Sequence, residues 1–475
     1  MIRTVLLAGL AAASLASAAE AKKASAPPAA PDPAATAAML RDKALTDPTA
    51  YSIVESLTTE IGPRLAGSPA AERAKDWGLA KLKALGFQNV HAEPFTMTAW
   101  SRGAESAEVT APYPQKLVIL GLGGTVPTPP GGIEAEIALF HSYADLLAAP
   151  EGSLAGKIAV VTQPMTRTQD GSGYGAANKA RTRGPVEAAK RGAIAYLVRS
   201  ISTDDTRLPH TGATGRNPKE PRIPAAALSV PDAELLDHMA ARGKPVRVRL
   251  SLENAENPNA VAWNVVGEIP GSEKPDEVIV IGGHLDSWDP GTGAIDDGAG
   301  VAITTAAAKL IGDLPRHPRR TIRVVMFGAE EMDFSGDAYG AAHKDEAAGK
   351  IVVVSESDGG SDLIWSLRLP QGAATAAQLA PVASLMAPIK VIVDATTPSH
   401  FAGSDVAEME TAGAPSFSFR QDMSLYFDLH HSADDTLDKV DPEHLNQNVA
   451  AWTALLYLIA ASDIDFRALA PAPVK

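Results

Sequence analysis

The 475-residue chain contains no cysteine. That excludes disulfides, thiolate metal sites and a lipid-modified cysteine anchor. Basic excess is also absent, since 42 Lys and Arg face 56 Asp and Glu for a formal net charge of -14. Nucleic-acid binding needs a basic surface to neutralise phosphates, so that class is set aside. Downstream of the N-terminus no run is long and apolar enough to span a bilayer, which takes about 20 residues. The sequence shows no internal repeat.

What is present begins with MIRTVLLAGLAAASLASAAEAKK. Basic Arg3, the apolar run from Val5 to Leu15 and small residues ending at Ala18 have the three-part form of a secretory signal. Residues 1–18 are therefore expected to be removed, leaving a secreted or periplasmic protein. Residues 19–36, rich in Pro and Ala, read as a flexible linker.

The length allows two or three domains. Helical patterns cover about 37–43 and 50–59. Ser68 is placed to cap a helix that starts at Pro69 and stops at Gly86. From Pro112 the texture becomes short strands dense in turn signals, up to 255. Beyond Glu256, apolar runs at Glu277–Gly282 and Thr321–Gly328 flank an Ala-rich helical stretch, Val301–Ile311. Strand, helix and strand with runs buried on both faces imply a parallel or mixed sheet. The expected fold class is α/β: a mixed, mostly parallel central sheet flanked by helices, in two pieces (37–111 and 256–475). A β-rich module, 112–255, interrupts it.

Five clusters carry chemistry. GGHLDSW places His284 and Asp286 two apart at a strand end, on one side of the chain, so Asp286 can orient the imidazole. Asp296-Asp297-Gly298 heads an Ala/Gly-rich helix; the pair suits a metal, while Asp297 equally suits an N-cap. Asp289, beside Pro290 and Gly291, reads as a turn residue. FGAEEM sets Glu330 and Glu331 directly after a strand, where one carboxylate can ligate and its neighbour act as general base. IVVVSESDGG offers Glu356 and Asp358 at another strand end, and DLHHSADDT offers His430 and His431 ahead of Asp435-Thr436. No one cluster specifies a site. Together they supply imidazoles and carboxylates without thiolate, a set zinc accepts and one sufficient for two metals sharing a carboxylate.

In that order, with IGPRLAGSP near the start, these motifs resemble the co-catalytic zinc exopeptidases, the family of bacterial leucyl aminopeptidase and prostate glutamate carboxypeptidase, and within it the carboxypeptidase Q-like branch. The resemblance covers most of the mature chain. It implies the zinc exopeptidase fold with 112–255 as an inserted protease-associated domain. It also implies two Zn2+ per chain, His284 and Asp358 on the first, Glu331 and His431 on the second, bridged by Asp296 and a water or hydroxide. Three carboxylates and a hydroxide would nearly neutralise the two dications. Asp297 would shape the turn through a cis Asp296–Asp297 peptide. Glu330 would be general base and acid, and Asp286 would support His284. The implied activity is hydrolysis of dipeptides or short peptides from the free N-terminus, with peptide as the partner and a homodimer as the assembly. Many family members carry a tyrosine where His430 stands, so His430 either donates the same hydrogen bond or is structural; Tyr426 is a further substitute. FAGSDVAEMETAG, with Ala402 where glycine is usual, would line the substrate pocket, Ser404-Asp405 capping a helix. The alternatives are a one-zinc glutaminyl cyclase-like transferase, which lacks use for the second ligand set, and a non-catalytic relative, which would have lost a ligand.

Overall fold

Val278–Ile281 and Val324–Phe327 are apolar on both faces and become inner strands of a five-stranded sheet. A computed structural model describes Met1, residues 32–215 and residues 217–469. Apart from Met1 and residues 32–36, the expected signal and linker lie outside the described residues. The first helix, α1 (Pro33–Ala44), begins ahead of the expected start at 37, with proline at its N-terminus. It is followed by α2 (Thr49–Glu60) and α3 (Pro69–Ala84), whose Ser68 cap accepts the Ala71 amide at 3.1 Å.

The sheet comprises β1 (Gln88–Ser101), β2 (Ala255–Ile269), β3 (Lys274–His284), β4 (Arg320–Phe327) and β5 (Ile351–Glu356), in the spatial order β1-β2-β4-β3-β5. β3 pairs in parallel with β4 and β5, whereas β2 pairs antiparallel with β1 and β4. The sheet is thus mixed as expected but evenly divided rather than mostly parallel. The difference comes from β1 and β2, which sequence patterning does not reveal. β1 is a half-exposed edge strand carrying Pro94, and proline is tolerated at edges because no inner ladder needs its amide.

Alternation along β3 sorts its side chains to two faces. Ile279 and Ile281 share a core with Val301 and Ile303 of α4 (Ala299–Gly312) and Trp452 of α5 (Pro442–Ala461). Val278 and Val280 pack on the other face with Tyr339 and Met409. Each such fully buried side chain contributes roughly 1.5–3 kcal/mol. α5 is a 20-residue, largely buried helix that the sequence reading leaves unassigned. Among the described residues no helix is long and apolar enough to cross a membrane.

Between β1 and β2 the chain builds a second, eight-stranded mixed sheet from Glu105 to Leu252. It begins ahead of the expected boundary at 112 because Glu105–Ala111 pairs with Arg247–Leu252 there and not with β1. β1 and β2, leaving for and returning from this sheet, pair along nearly their whole length. A third, three-stranded sheet has Ile364–Arg368 at its centre. In the central sheet the parallel register sets His284 beside Phe327 and Gly282 beside Glu356. The carboxyl ends of β3, β4 and β5 therefore open on one edge, where ligands gather in such folds.

Candidate metal centre

His284 is the last residue of β3 and is fully buried. Its Nε2 lies 3.0 Å from Asp296 Oδ1, 3.6 Å from Asp358 Oδ1 and 4.0 Å from Glu330 Oε2. Its Nδ1 faces the main-chain carbonyl of Asp286 at 3.0 Å, with the Asp286 carboxylate at 3.5 Å. Asp286 thus meets the imidazole chiefly through its backbone, while its carboxylate accepts the Glu330 amide at 3.0 Å. One residue ties down both the imidazole and the turn carrying Glu330.

Asp296 and Asp297 follow an irregular turn and are joined by a cis peptide bond. Their carboxylates part company. Asp297 Oδ2 accepts the His284 amide at 3.0 Å and Oδ1 the Gly300 amide at 2.9 Å, which anchors the first turn of α4 to the end of β3. Gly300 is obligatory here, since a Cβ would come within 1.8 Å of the Ser357 carbonyl. Asp296 points into the cleft. Its Oδ1 meets His284, and its Oδ2 lies 3.3 Å from His431 Nε2 and 3.8 Å from His430 Nε2. Glu331 Oε2 is 3.0 Å from His431 Nε2.

The electrostatics follow from crowding. Burial pushes the Asp296 carboxyl up, but His284 and His431 outweigh it and hold the group well below the usual range. Burial, reinforced by neighbouring carboxylates, raises Glu330, Glu331 and Asp358. His430 is driven well below the ordinary imidazole range by burial and by His431, whose ring is stacked on it at 3.4 Å between centroids. Asp296 Oδ2, Glu331 Oε1 and Asp358 Oδ1 are buried without a hydrogen bond. A native interior rarely leaves such oxygens unmet. Among the described residues, ligating atoms of His284, Asp296 and Asp358, and again of Asp296, His430 and His431, lie within 4.8 Å of one another. An oxygen- and imidazole-rich donor set with orphaned carboxylate oxygens fits zinc. Asp296, Glu330, Glu331, Asp358, His430 and His431 line a cavity of about 390 Å³, with His284 buried behind Asp296 and Asp358.

The sequence-predicted residues Glu330, Asp286, His430, His284, Asp296, Glu331, Asp358 and His431 all converge on this cleft. His430 closes a ligand-like group with Asp296 and His431. Tyr426 lines the same cavity, as does Ser404. One expectation fails here: helix Ala407–Thr411 has no side-chain cap, and Asp405 turns inward to accept Ser335 Oγ at 2.7 Å. Glu356 also stays out of the cleft's contacts and accepts the Asp405 amide.

Three features escape the sequence reading. Asp435 accepts the amides of Ala294, Ile295 and Asp296 at 2.9, 2.7 and 3.2 Å, fixing the turn that presents Asp296. It stands in the quoted DLHHSADDT without a role. Arg64 of IGPRLAGSP is fully buried and donates to the carbonyls of Leu285, Thr292 and Gly293, bracing the loop after His284. Asp289 lies in the expected turn but has a distant partner. Arg102 holds it at 2.7 and 3.0 Å and also donates to Gly121 O in the second sheet. Its partner is 187 residues away, which no local pattern reveals.

Comparison with known proteins agrees with this geometry. Residues 264–456 match peptidase family M28. Mouse carboxypeptidase Q is 37% identical over 414 residues, 87% of this chain and 86% of its own. A peptidase M28 precursor of Shewanella amazonensis superposes with a TM-score of 0.88 at 43% identity, covering 93% of this chain and 99% of that one. The fold alone extends to a zinc aminopeptidase of Bacillus subtilis, with a TM-score of 0.61 at 18% identity over 86% of this chain and 94% of that one. Strand-end imidazoles and carboxylates on such a sheet define a hydrolase of the zinc-dependent exopeptidase class. The chain belongs to peptidase family M28, in its carboxypeptidase Q-like branch.

Proposed function

We propose that this chain is an exported dizinc exopeptidase that splits dipeptides or trims short peptides from the free N-terminus. The observation that carries the reading is the posture of Asp296, with one oxygen 3.0 Å from His284 and the other 3.3 Å from His431. A carboxylate spread between two imidazoles, each with a further carboxylate beside it, matches two metals sharing one bridge. His284 and Asp358 would hold one zinc, Glu331 and His431 the other. Zinc in such a site supplies Lewis acidity, which eases deprotonation of water and polarises a carbonyl.

The remaining work falls to the chain. Glu330, on the cleft wall near His284, takes the proton from the attacking water and returns it to the leaving amine. Asp286 and Asp435 keep Glu330 and Asp296 aimed. His430 presents Nε2 toward the cleft beside Asp296, where it can donate to the substrate carbonyl oxygen as it gains charge. The eight-stranded module is the protease-associated insert and forms one wall of the cleft through Tyr174, Asn178 and Arg181. The signal-like first 18 residues support export.

The test is Glu330→Gln assayed on a dipeptide panel with and without chelator. The variant is expected to keep close to two zincs per chain and lose about 10²–10⁴-fold in kcat. Undiminished activity would refute the base assignment. One tightly held zinc with cyclase activity would falsify the dizinc reading.

A further inference from the structure

The turn bearing His430 and His431 is gripped by the second sheet's module. His431 has φ of 62°, a left-handed conformation uncommon for a residue with a side chain. The turn is met by the segment around Thr203–Thr211, more than two hundred residues earlier. The Thr211 amide donates to the His431 carbonyl at 3.0 Å, and the Thr211 carbonyl faces His431 Nδ1 at 3.3 Å, with Arg181 Nη1 3.4 Å from the same nitrogen. His210, 1% exposed, donates from Nδ1 to the His430 carbonyl at 2.6 Å. Behind it, His210 Nε2 lies 3.3 Å from Asp204 Oδ1. Burial pushes the Asp204 carboxyl up, but His210, Ser202 and Thr206 outweigh it and hold it at about 2. Further out, Thr203 Oγ1 donates to Asp428 at 2.7 Å.

We infer that His210, aligned by Asp204, is a positioning residue for His431: by holding the His430 carbonyl it fixes the backbone that aims the His431 ring, so the metal site is complete only when this segment of the second module is docked. The inference rests on His431 being a zinc ligand, as proposed above. The chemical logic is that of an outer partner to a ligating imidazole, where loss typically weakens metal binding about 10–100-fold. Here the partner acts through the main chain of the ligand's neighbour, and the ring's own outer nitrogen is met by the Thr211 carbonyl of the same segment.

The experiment measures zinc release from the full-length enzyme to a chromophoric chelator, with the unfolding midpoint recorded in parallel. His210→Ala is expected to speed release of one of the two zincs at least about tenfold. His210→Asn, whose amide nitrogen stands where Nδ1 does and can still donate to the His430 carbonyl, is expected to recover most of the lost retention. Asp204→Asn is the milder probe should His210→Ala fold poorly, with an increase of a few-fold. Leu236→Ala, in the second module's core, serves as control: it lowers the midpoint and leaves release at the wild-type rate. Wild-type release in His210→Ala, or in Asp204→Asn should His210→Ala fail to fold, overturns the inference while the dizinc reading stands. So does release that merely follows the midpoint in all variants. A wild-type enzyme holding no zinc overturns both.

Discussion

On the eight-stranded sheet, Arg249 reaches Glu108 at 2.9 Å and Glu134 at 2.7 Å across neighbouring strands, all three open to solvent. At the carboxyl end of the central sheet, Asp296, Asp297 and Glu331 are buried, with few cations among them. The first arrangement is what water permits anywhere, because solvated charges interact weakly. The second is expensive, because a buried carboxylate loses its hydration and must find a partner or a proton. Asp297 finds two backbone amides, whereas Asp296 and Glu331 retain oxygens with no hydrogen bond. The contrast teaches that charge alone marks nothing in this chain. Among the described residues, carboxylate oxygens left without a hydrogen bond in the interior gather around the site.

Three further experiments press on that contrast. The largest effect is expected for Asp296→Asn, which removes the charge placed between the two imidazoles. Zinc content should fall below two per chain and activity by about 10³-fold or more. Metal analysis with kinetics checks this, and a fully active two-zinc variant would erase the distinction between the regions. Next come Ile281→Ala in β3 and Leu250→Ala in the second sheet, both buried at 0% exposure. Each should cost about 2–5 kcal/mol in denaturant unfolding. Only Ile281→Ala, in the strand that ends at His284, should also loosen zinc; equal loosening by both would mean the two sheets support the site alike. The smallest effect is expected for Arg249→Ala, with an unfolding midpoint unmoved within error and zinc content intact. A clear drop there would show that the paired surface charges carry stability after all.

Much of the site is legible in the sequence because several of its residues lie next to recognisable strand ends. His284, Glu330, Glu331 and Asp358 follow apolar runs directly, and parallel strands bring such ends to one edge. The helix from Pro69 is legible for a similar reason, since cap, first-turn proline and terminal Gly86 are all local. β1 and β2 are not, because a long strand with mixed faces and a proline has neither clean alternation nor an apolar run. Asp405 misleads because a serine-aspartate pair ahead of a helix resembles a cap, yet Ser335 from another element draws it inward.

The sequence by itself determined that imidazoles and paired carboxylates gather just after a set of apolar runs, and that an α/β domain was interrupted by a β-rich module. Those facts reside in neighbouring residues and their periodicity. Only the tertiary structure decided that Asp296 faces two imidazoles while Asp297 faces backbone amides, that Arg102 ties Asp289 to the second sheet, and that Thr211 and His210 grip the turn bearing His431. The physical reason is distance along the chain. A hydrogen bond between residues 220 apart leaves no periodic trace in either segment, and the burial that makes it matter exists only once both segments have packed.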